Sequence, residues 1–178
     1  MTASRVIRLG VVLVPLLAAA TVTASAPARN RSEVSLPTLE HQLVDAVNVF
    51  RVAHHRDRLR LSSRLNSSAR QHSLQMGRLG YFSHSSANGT PFWRRIEHYY
   101  SARDYSYWAA GENLLWAARG VTAGRALRMW IVSPEHRLNL LSRQWRQFGV
   151  SAVQVWHAPG VFDGRNVTII TADFGVRR

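Results

Sequence analysis

The chain has 178 residues, 23 basic against ten acidic side chains, a formal net charge of +13 and no cysteine. That length, with a targeting segment at its front, leaves room for one domain and one main core and excludes a second. The missing thiols exclude disulfide staples and a cysteine nucleophile, so an exported chain of this kind has to be stabilised by packing, for which 46% hydrophobic residues and six tryptophans are sufficient.

At the N-terminus, Arg5 and Arg8 precede the apolar run Leu9 to Ala20, and small residues follow through Ala24, Ser25, Ala26, Pro27 and Ala28. Positive, then apolar, then small is the order of a secretory signal peptide. The apolar run falls short of the about 20 residues that a spanning helix needs, which leaves an uncleaved anchor as the weaker alternative. The expected organisation is a signal peptide over 1–28, a short polar linker over 29–35 and one domain over 36–178, secreted or extracytoplasmic once the leader is removed. Losing Arg5 and Arg8 lowers the positive charge by two, and the remainder should draw the mature protein to anionic envelope surfaces in a salt-dependent way. Nucleic acid satisfies the same electrostatics, but the arginines are scattered, no nucleic-acid motif accompanies them and export removes the usual target.

Within the domain, Leu39, Leu43, Val47 and Phe50 recur at helical spacing and predict a first helix over about Leu36 to Ala53. Ser62 or Ser63 caps a second over Ser63 to Leu79, with Leu65, Ala69, His72, Met76 and Leu79 on its stripe and Gly80 as its stop. His72 on that stripe reads as a core histidine. Thr90 before Pro91 has the character of a cap for a short third helix through Phe92, Ile96 and Tyr99. Thr122 caps a fourth, ended by Pro134. The pattern then changes: Phe148 to Trp156 and Val167 to Phe174 are apolar on both faces, as strands covered on both sides would be, with a longish hairpin loop between them. A sheet between helical layers uses all these stripes.

Three short stretches place titratable groups beside turn punctuation: Phe82-Ser83-His84-Ser85, Gly111-Glu112-Asn113-Leu114 and Ser133-Pro134-Glu135-His136-Arg137. Together with Asn48 and Arg51, Asn88 to Phe92, Trp130, Asn139-Leu140-Leu141 and Phe148-Gly149-Val150, in this order, they resemble the CAP superfamily, the SCP-like extracellular domain of cysteine-rich secretory, antigen 5 and pathogenesis-related-1 proteins, in its bacterial branch. The resemblance implies an α/β fold, an α-β-α sandwich with a small, mainly antiparallel sheet between helical layers. It also implies a central groove formed by His84, Glu112 and His136, in which some relatives bind a divalent ion. Imidazole nitrogens suit Zn2+ or another divalent metal, with His84 and His136 as ligands, while a carboxylate completes such a site or orients a histidine. Blander roles stay open: His84 as a turn cap, Glu112 as a buried anchor for backbone amides, His136 as a partner at a helix start.

The second glutamate of the better-known eukaryotic pattern is replaced by Ser133, and Glu135 stands nearby. No serine has a nucleophile-elbow context and no second positioned acid accompanies Glu112, so serine-hydrolase and paired-carboxylate chemistry are not expected. The leading expectation is a non-enzymatic binding module for a small amphipathic or anionic ligand, lipid included, in a groove walled by Trp93, Trp108 and Trp116. The alternative is a metal-dependent hydrolase of cell-envelope material with Glu112 as the candidate catalytic base.

Overall fold

The structure, a computed structural model, describes residues 33–118 and 120–178. The leader expected over 1–28 lies outside the described residues. So does most of the 29–35 linker, whose last three residues, Glu33–Ser35, form the edge strand β1.

Helix α1, Pro37–Ala53, has proline in its first turn and buries Leu39, Leu43 and Val47, as their spacing dictates. After the two-residue strand β2, Arg60–Leu61, the Ser62 hydroxyl accepts from the Leu65 N–H and starts α2, Ser63–Leu79. Gly80 ends α2 in the left-handed region, at φ 72°, and Leu79 just before it, expected on the buried stripe, is exposed because the last turn runs past the sheet it packs on. Helix α3, Phe92–Tyr99, begins one residue later than a Thr90 cap would place it: Pro91 is the N-cap, without a side-chain cap, and Thr90 instead closes the preceding turn through its carbonyl and amide. Strand β3, Trp108–Ala118, precedes α4, Ala123–Val132, which the Thr122 hydroxyl caps at the Arg125 N–H. Pro134 ends α4 and also occupies the first turn of a further helix, α5, Pro134–Leu141. Strands β4, Gln147–Val155, and β5, Val167–Arg177, complete the chain and are joined by a loop containing a single 3-10 turn.

The sheet runs β1-β4-β5-β3, antiparallel throughout, with β2 added parallel to β4. Both long hairpin strands are buried on both faces. Even-numbered residues of β4 and β5, such as Phe148, Val150, Ile170 and Phe174, pack with Leu43 and Val47 of α1 and Trp130 of α4. Odd-numbered Val153, Val155, Val167 and Ile169 pack with Met76 of α2. The result is the α-β-α sandwich.

One outer edge of the sheet belongs to β4 and is closed by side chains as well as by β1 and β2. Asn66 Oδ1 accepts from the Val150 N–H at 3.1 Å, and Glu40 Oε1 from the Ala152 N–H at 2.8 Å. Asn66 comes this close because position 149 is glycine: a Cβ there would lie 2.1 Å from the Asn66 nitrogen. The other edge belongs to β3, and the site lies along it.

Candidate functional site

A cavity of about 480 Å³ runs along β3 from Ala110 to Asn113. This is within the range of small-ligand sites. One wall comes from the α2–α3 loop and α3, with His84 and Phe92. The other comes from α5 and the turn after it, with Glu135, His136, Leu138 and Trp145. His84, Glu112 and His136 therefore share one cavity, although 52 residues separate the two histidines in sequence. The aromatic lining is Phe92 and Trp145. Trp93, Trp108 and Trp116, expected as walls, do not reach it: Trp93 and Trp108 pack with Ile96 and Tyr100, and Trp116 packs edge-on against Phe162.

Side chains alternate along β3, so Glu112 points toward the α2–α3 layer while Gly111 and Asn113 point toward α5. The Glu112 side chain is fully buried, with both oxygens engaged: Oε1 takes the Nδ1 of His84 at 2.8 Å, and Oε2 pairs with the buried guanidinium of Arg95. Burial alone would push the Glu112 carboxyl up, but the Arg95 charge, then the His84 hydrogen bond, outweigh it and hold the group below its ordinary value. Arg95 also donates to the His84 carbonyl at 3.1 Å and to the Ser86 hydroxyl at 3.3 Å, fixing the loop that carries the histidine. With Nδ1 donating to a carboxylate, His84 keeps Nε2 as its second nitrogen. Arg95 escaped sequence analysis because an arginine on a short amphipathic helix reads as a solvated face.

On the opposite wall, Asn113 Nδ2 donates to the His136 carbonyl at 3.1 Å, Asn139 Nδ2 to Asn113 Oδ1 at 3.0 Å, and the Trp145 indole to Asn139 Oδ1 at 2.8 Å. Gly111 is needed beneath them, since a Cβ would lie 2.7 Å from Trp145 Cζ2 and 2.8 Å from Asn139 Oδ1. Asn48 exchanges two hydrogen bonds with Leu59, and the buried Arg51 donates to the Leu140 and Ser142 carbonyls, tying the end of α5 to α1. These residues place His136. Partial burial, then the neighbouring His84, lower its affinity for a proton, with Glu135 opposing. Glu135, like His136, faces the cavity.

Two further buried groups lie behind Glu112. Asp173 of β5 pairs with it across the ladder, and neither of its carboxyl oxygens has a hydrogen-bond partner among the described residues. Burial, then the Glu112 charge, raise it well above its ordinary value and favour its protonated form. His72 has no exposed surface and its Nε2 bonds the Ser83 carbonyl at 2.8 Å; burial lowers its value to about 4. A core role for His72 agrees with its place on the α2 stripe. Asp173 carries no local signal in the sequence, since it sits inside an apolar run.

The donor set fits a divalent ion in a limited way. Two imidazoles face one cavity, and one has a carboxylate behind it, the arrangement found behind most metal-bound histidines. Glu112 itself is spoken for by Arg95 and His84, and among the described residues no three His, Asp or Glu side chains converge as a ligand set. Any ion would rest on His84 Nε2 and a His136 nitrogen, with exogenous ligands completing its shell.

The family model of the cysteine-rich secretory proteins matches residues 44–170. Among solved structures, an extracellular protein containing an SCP domain from Bacillus anthracis str. Ames is 28% identical, with a TM-score of 0.60 over 80% of this chain and 41% of that one. An outer surface protein from Borrelia burgdorferi is 18% identical, with a TM-score of 0.63 over 83% of this chain and 98% of that one. A cysteine-rich secretory protein from Staphylococcus aureus is 14% identical, with a TM-score of 0.53 over 78% of this chain and 38% of that one. The last two speak to the fold alone, and the chain spans less than half the length of the Bacillus and Staphylococcus proteins. No curated protein matches the chain.

Proposed function

The chain belongs to the cysteine-rich secretory protein family, and on that premise we propose that it works outside the cytoplasm as a non-enzymatic binding module. In this reading the groove along β3 holds a divalent ion, Zn2+ for preference, on His84 and His136, together with a small amphipathic or anionic ligand. The leader pattern at the N-terminus supports export, and two of the similar structures are described as an extracellular and an outer surface protein. The surplus of arginine supports attraction to an anionic envelope.

The observation that carries the proposal is the Arg95–Glu112–His84 relay, a buried ion pair that reaches out to a half-exposed histidine. A carboxylate hydrogen-bonded to Nδ1 fixes the ring and its tautomer and makes Nε2 a better electron-pair donor. A turn-capping histidine requires no such support. A bound ion would supply Lewis acidity toward a ligand oxygen. The same relay argues against the hydrolase reading, in which Glu112 takes a proton from water: a general base needs a free oxygen within reach of that proton, and both oxygens of Glu112 are engaged.

Calorimetric titration of Zn2+ into the mature protein and into His84→Ala and His136→Ala tests the reading. One ion per chain with affinity lost in both variants supports it. No uptake, or equal uptake in all three proteins, overturns it.

A further inference from the structure

The groove has a floor as well as walls, and the floor is polypeptide backbone. Tyr107 and Arg178 exchange both backbone hydrogen bonds, N–H to O at 2.8 and 3.1 Å. Counting along the antiparallel register from that pair, Ala109, Gly111, Asn113 and Leu115 turn their N–H and C=O groups toward β5. The alternate residues Ala110, Glu112 and Leu114 turn theirs toward the open edge. At Leu114 the edge is closed, because the Trp130 indole donates to its carbonyl at 3.1 Å. At Ala110 and Glu112 the N–H and C=O groups have no hydrogen-bond partner among the described residues, and both residues line the cavity. Glu112 is 6% exposed although its side chain is 0% exposed, so what it shows to the groove is its main chain. The contrast with the β4 edge, where Asn66 and Glu40 cover the corresponding amides, makes the open stretch a specific feature of this side of the sheet.

We infer that the groove takes an extended peptide segment, which adds as a short strand against Ala110 and Glu112. This deepens the reading of the groove as a binding site and names its ligand class. Alternating donors and acceptors on one strand edge are complementary to another extended backbone, and main-chain pairing of this kind tolerates sequence while flanking pockets select alternate side chains. An antiparallel segment places its first and third residues opposite Glu112 and Ala110, each exchanging two hydrogen bonds. Their side chains then lean toward His84 and Phe92. The middle residue leans to the face of Gly111, where Trp145, Leu141 and the 63% exposed Leu138 offer an apolar wall. The pattern selects a tripeptide with an apolar residue in the middle.

The probe is acetyl-Thr-Leu-Thr-amide, titrated at up to millimolar concentration into uniformly 15N-labelled mature protein in excess EDTA. Chelation keeps the result independent of the histidine-metal reading, which the zinc titration tests alone. Binding should shift the Ala110 and Glu112 amide resonances and slow their exchange with solvent. N-methylation of the second Thr, which removes a ladder N–H, should weaken binding by about tenfold or more. N-methylation of the Leu, whose N–H faces away from β3, should change it less than about threefold, and replacing that Leu with Ser should weaken it. No perturbation at Ala110 and Glu112, or equal affinity for the two N-methylated peptides, overturns the inference.

Discussion

Glu112 and Asp173 lie opposite each other on β3 and β5, two fully buried carboxyl groups of which Glu112 alone forms an ion pair with Arg95. Two like charges at that spacing in the interior oppose each other, so one group ionises and the other keeps its proton. The Arg95 pair decides which: Glu112 is held down and Asp173 is driven up.

Asp173 therefore weakens the fold at neutral pH. Its native value lies above its unfolded one, so the folded state binds the proton more tightly and stability falls as pH rises past about 3.9, the unfolded reference. Asp173→Asn removes that cost. Denaturant unfolding should show the variant gaining stability over the wild type as pH rises above about 4, with the advantage vanishing below about pH 4.

His72 acts in the opposite sense. It is buried neutral with a value of about 4, so its unfolded form gains a proton first as pH falls through 6.5. Stability is full above 6.5 and declines toward pH 4, and that gap corresponds to about 3 kcal/mol. His72→Gln keeps a donor for the Ser83 carbonyl and cannot titrate. Its unfolding free energy, measured from pH 7 to 4, should decline less steeply than that of the wild type.

Much of this was legible from the residues. The β4 and β5 strands announced themselves because Val150, Val153, Ile169 and Ile170 are apolar on both faces, and α2 because Ser62 and Gly80 mark its ends. The β3 strand carries Gly111, Glu112 and Asn113 in its middle, a polar break that single-sequence periodicity reads as punctuation. Each of the three is explained only by what packs on it: Trp145 over Gly111, His84 and Arg95 on Glu112, Asn139 on Asn113. Pro134 hid α5, since a proline that ends one helix serves equally well in the first turn of the next. The family resemblance pointed to His84, Glu112 and His136. Arg95 and Asp173 depend on a side chain crossing between layers and on strand register, neither of which a local pattern records.

Gly111 offers a test of the packing that seats α5. In Gly111→Ala the new methyl meets Trp145 and Asn139 below van der Waals distance. Overpacking of this kind costs about 1–3 kcal/mol. Calorimetric melting should show a Tm lowered by about 2–4 °C for each kcal/mol lost.

The central claim is that Glu112 fixes His84 with Nε2 free to bind an ion beside His136. Long-range 1H–15N spectra of the imidazoles, recorded at neutral pH before and after one equivalent of Zn2+, test it most directly. The account predicts that His84 carries its proton on Nδ1 in the metal-free protein, and that zinc shifts His84 Nε2 and one nitrogen of His136 together, saturating at one ion per chain. A His84 proton on Nε2, or spectra of both histidines unchanged by zinc, would contradict it.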